Sequence, residues 1–155
     1  MGNFFMSGGN DGLLKIYDVA SMRESHVIKA PQLKPITALC FINNINDEIA
    51  FTSTDKQIRL CKFNYSSQLD STASGHLDEV TCLTGSKSAG WLISGSLDRT
   101  IKFWDLGKGM QQVNKIQASS SILTTDVAES GNLIFSGHKD GSVRIWGLRE
   151  RNLVK

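Results

Sequence analysis

Histidine, serine and aspartate occur together in the middle of this chain, at His76, Ser94 and Asp98. Such a trio could build a hydrolytic triad. A serine nucleophile of the hydrolase kind sits on a G-x-S-x-G turn that exposes its hydroxyl. Ser94-Gly95-Ser96 lacks the glycine two residues before a nucleophile. Metal chemistry has no better footing. His26, His76 and His138 lie 50 and 62 residues apart. There is no C-x-x-C pair and no H-E-x-x-H stretch, so the spacings of zinc sites are missing. Gly8-Gly9-Asn10-Asp11-Gly12 is glycine-rich. It lacks the Lys-Ser/Thr pair and the following helix of a phosphate loop. These residues imply no cofactor and no enzyme.

The elements that must position these residues come from a repeat. Ser7-Gly8-Gly9-Asn10-Asp11 precedes Leu14-Lys15-Ile16-Tyr17-Asp18, and Ser53-Thr54-Asp55 precedes Ile58-Arg59-Leu60-Cys61. Ser94-Gly95-Ser96-Leu97-Asp98 precedes Ile101-Lys102-Phe103-Trp104-Asp105, and Ser136-Gly137-His138-Lys139-Asp140 precedes Val143-Arg144-Ile145-Trp146. The anchoring aspartates Asp11, Asp55, Asp98 and Asp140 recur at intervals of 44, 43 and 42 residues. Each follows an apolar run such as Trp91-Leu92-Ile93 and precedes an apolar-basic-apolar-aromatic alternation. That alternation is the period of a pleated strand. The short Gly/Asn/Asp/Ser stretch between them suits a tight reversal. Each repeat then reads as an inner strand (Ile36 to Phe41 in the second), two strands flanking the aspartate turn, and a polar outer strand such as Gln111 to Gln117. Almost no helix is expected. The repeats run roughly over 1–30, 31–73, 74–117 and 118–155.

Composition narrows the function classes. The chain is 40% apolar and 21% charged, and its net charge of +2 is too weak to imply a nucleic-acid partner. The apolar run near Ile36 to Ile42 is too short to span a bilayer, so no direct membrane insertion is expected. Cys40, Cys61 and Cys82 each sit in an apolar, strand-like segment, which reads as reduced core thiols of a cytoplasmic protein.

These repeats resemble the WD40 family over essentially the whole chain, with Gly75-His76 opening the third and Trp104-Asp105 closing its third strand. The resemblance implies an all-β fold, a WD40 β-propeller of about four four-stranded antiparallel blades. It implies a non-catalytic scaffold that binds other proteins. It also implies a hydrogen-bonded tetrad of His76, Ser94, Asp98 and Trp104 that fixes the turn. The other repeats depart from the pattern. Cys61 and Tyr17 replace the tryptophan, and Gln117-Ala118 stands near the expected Gly-His of the fourth. One complete tetrad is therefore expected. Asp55 should matter less than Asp98, because Cys61 cannot donate as an indole does. The segment order is similar to the C-terminal WD40 domain of the autophagy-sixteen-like proteins, carried by Ser94 to Leu106, Ser119-Ser120-Ser121, and Ser136 to Arg149. Trp146-Gly147-Leu148-Arg149 nearly matches a string of WD40 substrate receptors of cullin ubiquitin ligases, with Gly147 in place of aspartate.

Two sets of basic residues stand out. Lys15, Arg59, Lys102 and Arg144 recur in the third strands, as solvated or blade-edge positions or as a strip for an acidic partner. Lys56, Arg99 and Lys139 adjoin the turn aspartates and should share one face, the candidate protein-binding face; ordinary solubilising surface is the alternative. Seven blades would need roughly 300 residues. The arc is therefore expected to be incomplete, either a fragment of a longer propeller or closed by self-association. Ile134, Val143 and Ile145 would then lie uncovered.

Overall fold

A computed structural model describes residues 4–43, 48–63, 69–86, 90–128 and 133–147. They form four antiparallel sheets in which sequential strands are neighbours. The first contains β1 (Phe4–Gly8), β2 (Leu13–Asp18) and β3 (Arg23–Lys29). The second contains β4 (Ile36–Asn43), β5 (Glu48–Ser53), β6 (Ile58–Lys62) and β7 (Leu69–Ala73). The third contains β8 (Val80–Ser86), β9 (Trp91–Ser96), β10 (Thr100–Asp105) and β11 (Gln111–Gln117). The fourth contains β12 (Ile122–Ala128), β13 (Leu133–His138) and β14 (Val143–Gly147). One 3-10 turn, Pro31–Leu33, interrupts the strands. No helix among the described residues is long and apolar enough to cross a membrane.

Alternation of side chains puts two faces on each sheet, and the two middle sheets bury both. Leu14 and Ile16 of β2 pack with Phe51, Cys61 and Phe63 of the second sheet and its edge. Ala50, Ile58 and Leu60 of the second sheet pack with Val80, Leu92 and Trp104 of the third. Ile93, Ile101 and Phe103 then face Ile122, Ile134 and Trp146 of the fourth. Three apolar layers thus separate four sheets, and a strand buried on both sides reads as a continuous apolar run. Ile134 is fully buried in the last layer, contrary to the expectation that it lies uncovered, because its side chain points back to the third sheet. Val143 is 71% exposed.

The innermost strands are tied together by hydroxyls. Thr81 Oγ1 of β8 donates to the Ile122 carbonyl of β12 at 2.8 Å, and Thr84 Oγ1 donates to the Thr125 carbonyl at 2.8 Å. Close approach at this seam requires glycine three residues before the turn aspartate. A Cβ on Gly95 would lie 2.5 Å from Ile122 Cγ2 and 2.6 Å from Cys82 Sγ. A Cβ on Gly8 would lie 2.5 Å from Ile36 Cγ2. The second repeat carries Thr52 there instead, and its buried hydroxyl has no hydrogen-bond partner.

Gly95→Ala is expected to overpack the seam and cost about 1–3 kcal/mol. Adding Ile122→Ala should offset part of the loss, because it removes the contacted Cγ2, so the double variant should cost less than the two single losses together. Thermal melts of both single variants and the double variant check this. Strictly additive losses would place the strain elsewhere.

Candidate functional site

The four aspartates occupy equivalent turns, between β1 and β2, β5 and β6, β9 and β10, and β13 and β14. One carboxylate oxygen accepts the amide N–H two residues on in every case: Leu13 at 3.0 Å, Gln57 at 3.1 Å, Thr100 at 2.8 Å and Ser142 at 3.0 Å. This is the local bond that makes aspartate a turn former. The residue after each aspartate has positive φ: Gly12 at 73°, Lys56 at 66°, Arg99 at 67° and Gly141 at 80°. The repeats differ in what meets the rest of the carboxylate.

In the third sheet His76 Nδ1 lies 2.8 Å from Asp98 Oδ2, and His76 Nε2 lies 2.7 Å from Ser94 Oγ. Trp104 Nε1 donates to Ser94 Oγ at 2.8 Å. Asp98 also accepts from the Leu77 amide at 2.9 Å and from Thr100 Oγ1 at 2.6 Å. Burial alone would raise the Asp98 pKa. The bonds from Thr100, Leu77 and His76 outweigh it and hold the carboxyl at about 2. Burial lowers the His76 pKa, and Asp98 only partly offsets that, so the imidazole is neutral at neutral pH. Asp98, an acceptor only, fixes the proton on Nδ1. Ser94 therefore donates to Nε2 and accepts from the indole.

This order of bonds, hydroxyl to imidazole to carboxylate, is that of a nucleophilic triad. Access separates the two. Ser94 is fully buried and Trp104 is 1% exposed, so no substrate carbonyl reaches the hydroxyl. One lone pair of Ser94 Oγ is also occupied by the indole. The network holds the turn against the strands.

The second sheet solves the same problem with different atoms. Phe51 stands at the serine position and Cys61 at the tryptophan position, both fully buried. The two are diagonal neighbours, since Ile49 pairs with Cys61 and Phe51 with Arg59. A large-small apolar pair thus replaces the small-large Ser–Trp pair. Asp55 is left for Arg59, whose guanidinium bonds both carboxylate oxygens, reaching Oδ1 at 3.0 Å. Ser53 Oγ and the Gln57 side chain complete the cage at 2.8 and 3.1 Å. Arg59 and Lys102 are buried, which corrects their reading as solvated positions. Lys102 Nζ donates to the Gly75 carbonyl because His76 already takes the aspartate. The burial of Arg59 argues for the opposite ranking to the one expected from the sequence, since Asp55 is the counter-charge of a buried cation.

The fourth sheet carries a rewired network that the sequence reading missed. Trp146 Nε1 donates to Ser136 Oγ at 2.7 Å, and Ser136 Oγ lies 2.8 Å from His138 Nε2. His138 Nδ1 reaches the Ser120 carbonyl at 3.3 Å. The histidine comes from within Ser136-Gly137-His138, two residues along the same strand face, and not from a preceding Gly-His. The signal was visible as an i, i+2 serine–histidine pair. Asp140 then pairs with Arg144 at 2.9 Å. In the first turn Asp11 keeps its local bond, and Lys15 turns to Glu24 at 3.5 Å.

Lys56, Arg99 and Lys139 are exposed and lie in three equivalent turns. Their registers differ. Lys56 and Arg99 follow the aspartate, whereas Lys139 precedes it. Lys56 Nζ donates to the Leu77 carbonyl at 2.9 Å and so straps the second sheet's turn to the third repeat. Cys40, Cys61 and Cys82 are reduced cysteines, and burial pushes Cys40 up to about 12, so it is not a nucleophile. Among the described residues no group of three or more His, Cys, Asp or Glu side chains is placed to hold a metal.

Asp55→Ala is expected to cost about 3–5 kcal/mol, by leaving the Arg59 charge buried and unpaired. Asp98→Ala is expected to cost about 1–3 kcal/mol through unpaired neutral donors. Denaturant melts rank the two, and Asp98→Ala proving the worse would sink the argument. The lowered Asp98 pKa stabilises the fold above the ordinary value of 3.8, and that contribution is lost as pH falls through about 2. Wild-type melting temperature should therefore drop between about pH 4 and pH 2, and Asp98→Asn should flatten that part of the profile.

A family model described as "WD domain, G-beta repeat" matches residues 67–105 and 110–147. The chain is 34% identical over 148 residues to protein tipD of Dictyostelium discoideum, covering 94% of this chain and 23% of that protein. It is 32% identical over 152 residues to autophagy-related protein 16 of Arabidopsis thaliana, covering 96% of this chain and 28% of that protein. It is 26% identical over 141 residues to the COMPASS component SWD3 of Saccharomyces cerevisiae, covering 90% and 44%. The chain thus spans less than a third of the length of the first two relatives. With four stacked antiparallel sheets, an aspartate turn in each and two matched repeats, the chain belongs to the WD40-repeat family.

Proposed function

We propose that the chain is a non-catalytic docking module whose turn rim, at Arg99 and Lys139, binds an acidic surface of another protein. WD40 repeats support a protein-interaction scaffold role. One observation carries the choice of rim. Arg99 sits at a φ of 67°, where the first and fourth turns have glycine. Left-handed backbone disfavours any residue that carries a Cβ, so the position offers a structural advantage to glycine. Its exposed guanidinium makes no hydrogen bond or ion pair among the described residues, so no internal contact explains it. Lys56 shares that backbone, and its strap to Leu77 accounts for it. Lys139 extends the positive rim into the next turn. The similarity to an autophagy-related protein 16 over most of the chain supports autophagy as the process served. The string Trp146-Gly147-Leu148-Arg149 runs past the described residues and adds nothing for a ubiquitin-ligase receptor.

Affinity capture with the full-length gene product, read by mass spectrometry, is expected to recover autophagy proteins. Arg99→Gly with Lys139→Glu should cut that recovery about tenfold or more while leaving the melting temperature nearly unchanged, because Arg99→Gly also relaxes the backbone. Recovery indifferent to the double variant would remove this rim, and recovery of a cullin adaptor instead would assign the other process.

A further inference from the structure

Two leucines hold equivalent, exposed places on the same rim. Ile36 and Val80 pair with Ser53 and Ser96, each two residues before its turn aspartate. Leu33 and Leu77 therefore both stand three residues ahead of an inner strand. They are 53% and 83% exposed. Their backbones are pinned. The Leu77 amide donates to Asp98 at 2.9 Å, and its carbonyl accepts from Lys56 at 2.9 Å. The Leu33 amide donates to the Ala30 carbonyl at 2.9 Å, and the residue sits at a φ of 51°. Gly12 backs it so closely that a Cβ there would lie 2.3 Å from the Leu33 carbonyl carbon. An apolar side chain held in water on a fixed backbone loses little freedom on binding, which is the condition for an anchor residue.

The rim is continuous. The Thr54 amide donates to the Pro35 carbonyl at 3.1 Å, the Leu97 amide to the Glu79 carbonyl at 2.9 Å, and the Lys139 amide to the Ser121 carbonyl at 2.9 Å. Ser121 Oγ donates to the Leu97 carbonyl at 3.0 Å and joins the last two. Charge along it is uneven. Asp55 and Asp140 are neutralised from within by Arg59 and Arg144, whereas half-buried Asp98 keeps its charge and turns it inward onto neutral His76. Exposed Asp78 adjoins Leu77 and half-buried Glu79 follows it, so the positive end lies beyond them, at Arg99 and Lys139.

We infer that the rim takes one extended segment of another protein, in which two apolar side chains lie ahead of a run of carboxylates. The apolar pair seats against Leu33 and Leu77, and the carboxylates meet Arg99 and Lys139. This rests on the docking reading above and adds the apolar half of the motif.

The test uses the full chain and labelled synthetic peptides in which two leucines, at varied spacing, precede a run of glutamates. Companion peptides carry serine for the leucines or lysine for the glutamates. Fluorescence anisotropy should show binding of the leucine–glutamate set, weakened about tenfold or more by Leu77→Ser and by serine in the peptide. Melting temperature should not move, since Leu77 is 83% exposed. Binding that survives Leu33→Ser with Leu77→Ser but falls with Arg99→Gly and Lys139→Glu would overturn this inference and leave the charged rim standing. Binding indifferent to both pairs, or no binding by any peptide, would overturn both. Self-association of the chain that Leu77→Ser abolishes would assign the leucines to a second copy and overturn the inference.

Discussion

The structure depends on a turn aspartate whose carboxylate must be satisfied wherever it is withdrawn from water. One oxygen always takes the amide two residues on, which closes the reversal between the two strands. In three of the four turns the other oxygen meets an internal partner: Arg59, His76 or Arg144. A half-buried carboxylate without such a partner carries the full desolvation cost. The partner therefore decides how each turn is fastened to its sheet.

That constraint explains why the repeats diverge without losing their shape. Where Gly75-His76 is present, the histidine bridges aspartate to serine and the serine receives the indole. Where it is absent in the second repeat, the basic residue of the third strand moves inward, and the Ser–Trp diagonal becomes Phe51 and Cys61. In the fourth, His138 arrives from the neighbouring strand position and takes a backbone carbonyl in place of a carboxylate. Polar chain or ion pair, the packed volume between sheets is kept, which is what cores demand.

The same fastening shapes the surface that meets partners. The aspartate turn and the segment before each inner strand are held together by backbone and hydroxyl bonds, so their side chains face solvent in fixed positions. Function in such a domain follows from what those fixed positions carry, not from the sheets beneath. Arg99, Lys139, Leu33 and Leu77 are among the side chains that the internal networks leave to solvent on that rim.

The sequence by itself determined the repeat, its period and its strands, because pleated strands alternate side chains and aspartate turns have a local signature. The all-β architecture, the inner-to-outer strand order and the central group of His76, Ser94, Asp98 and Trp104 could be read from spacing and resemblance. Pairings between strands were decided only in three dimensions. Arg59 and Lys102 look like surface cations in a strand pattern, and their burial follows from which neighbour faces them across the sheet. The Ser136–His138–Trp146 chain escaped notice because its histidine lies inside the strand, where periodicity marks a face but not a bond. Lys56 and Lys139 read as one register, yet Lys56 is strapped to a carbonyl 21 residues away. Long-range hydrogen bonds of this kind depend on how sheets stack, and no local pattern of residues encodes the stacking distance.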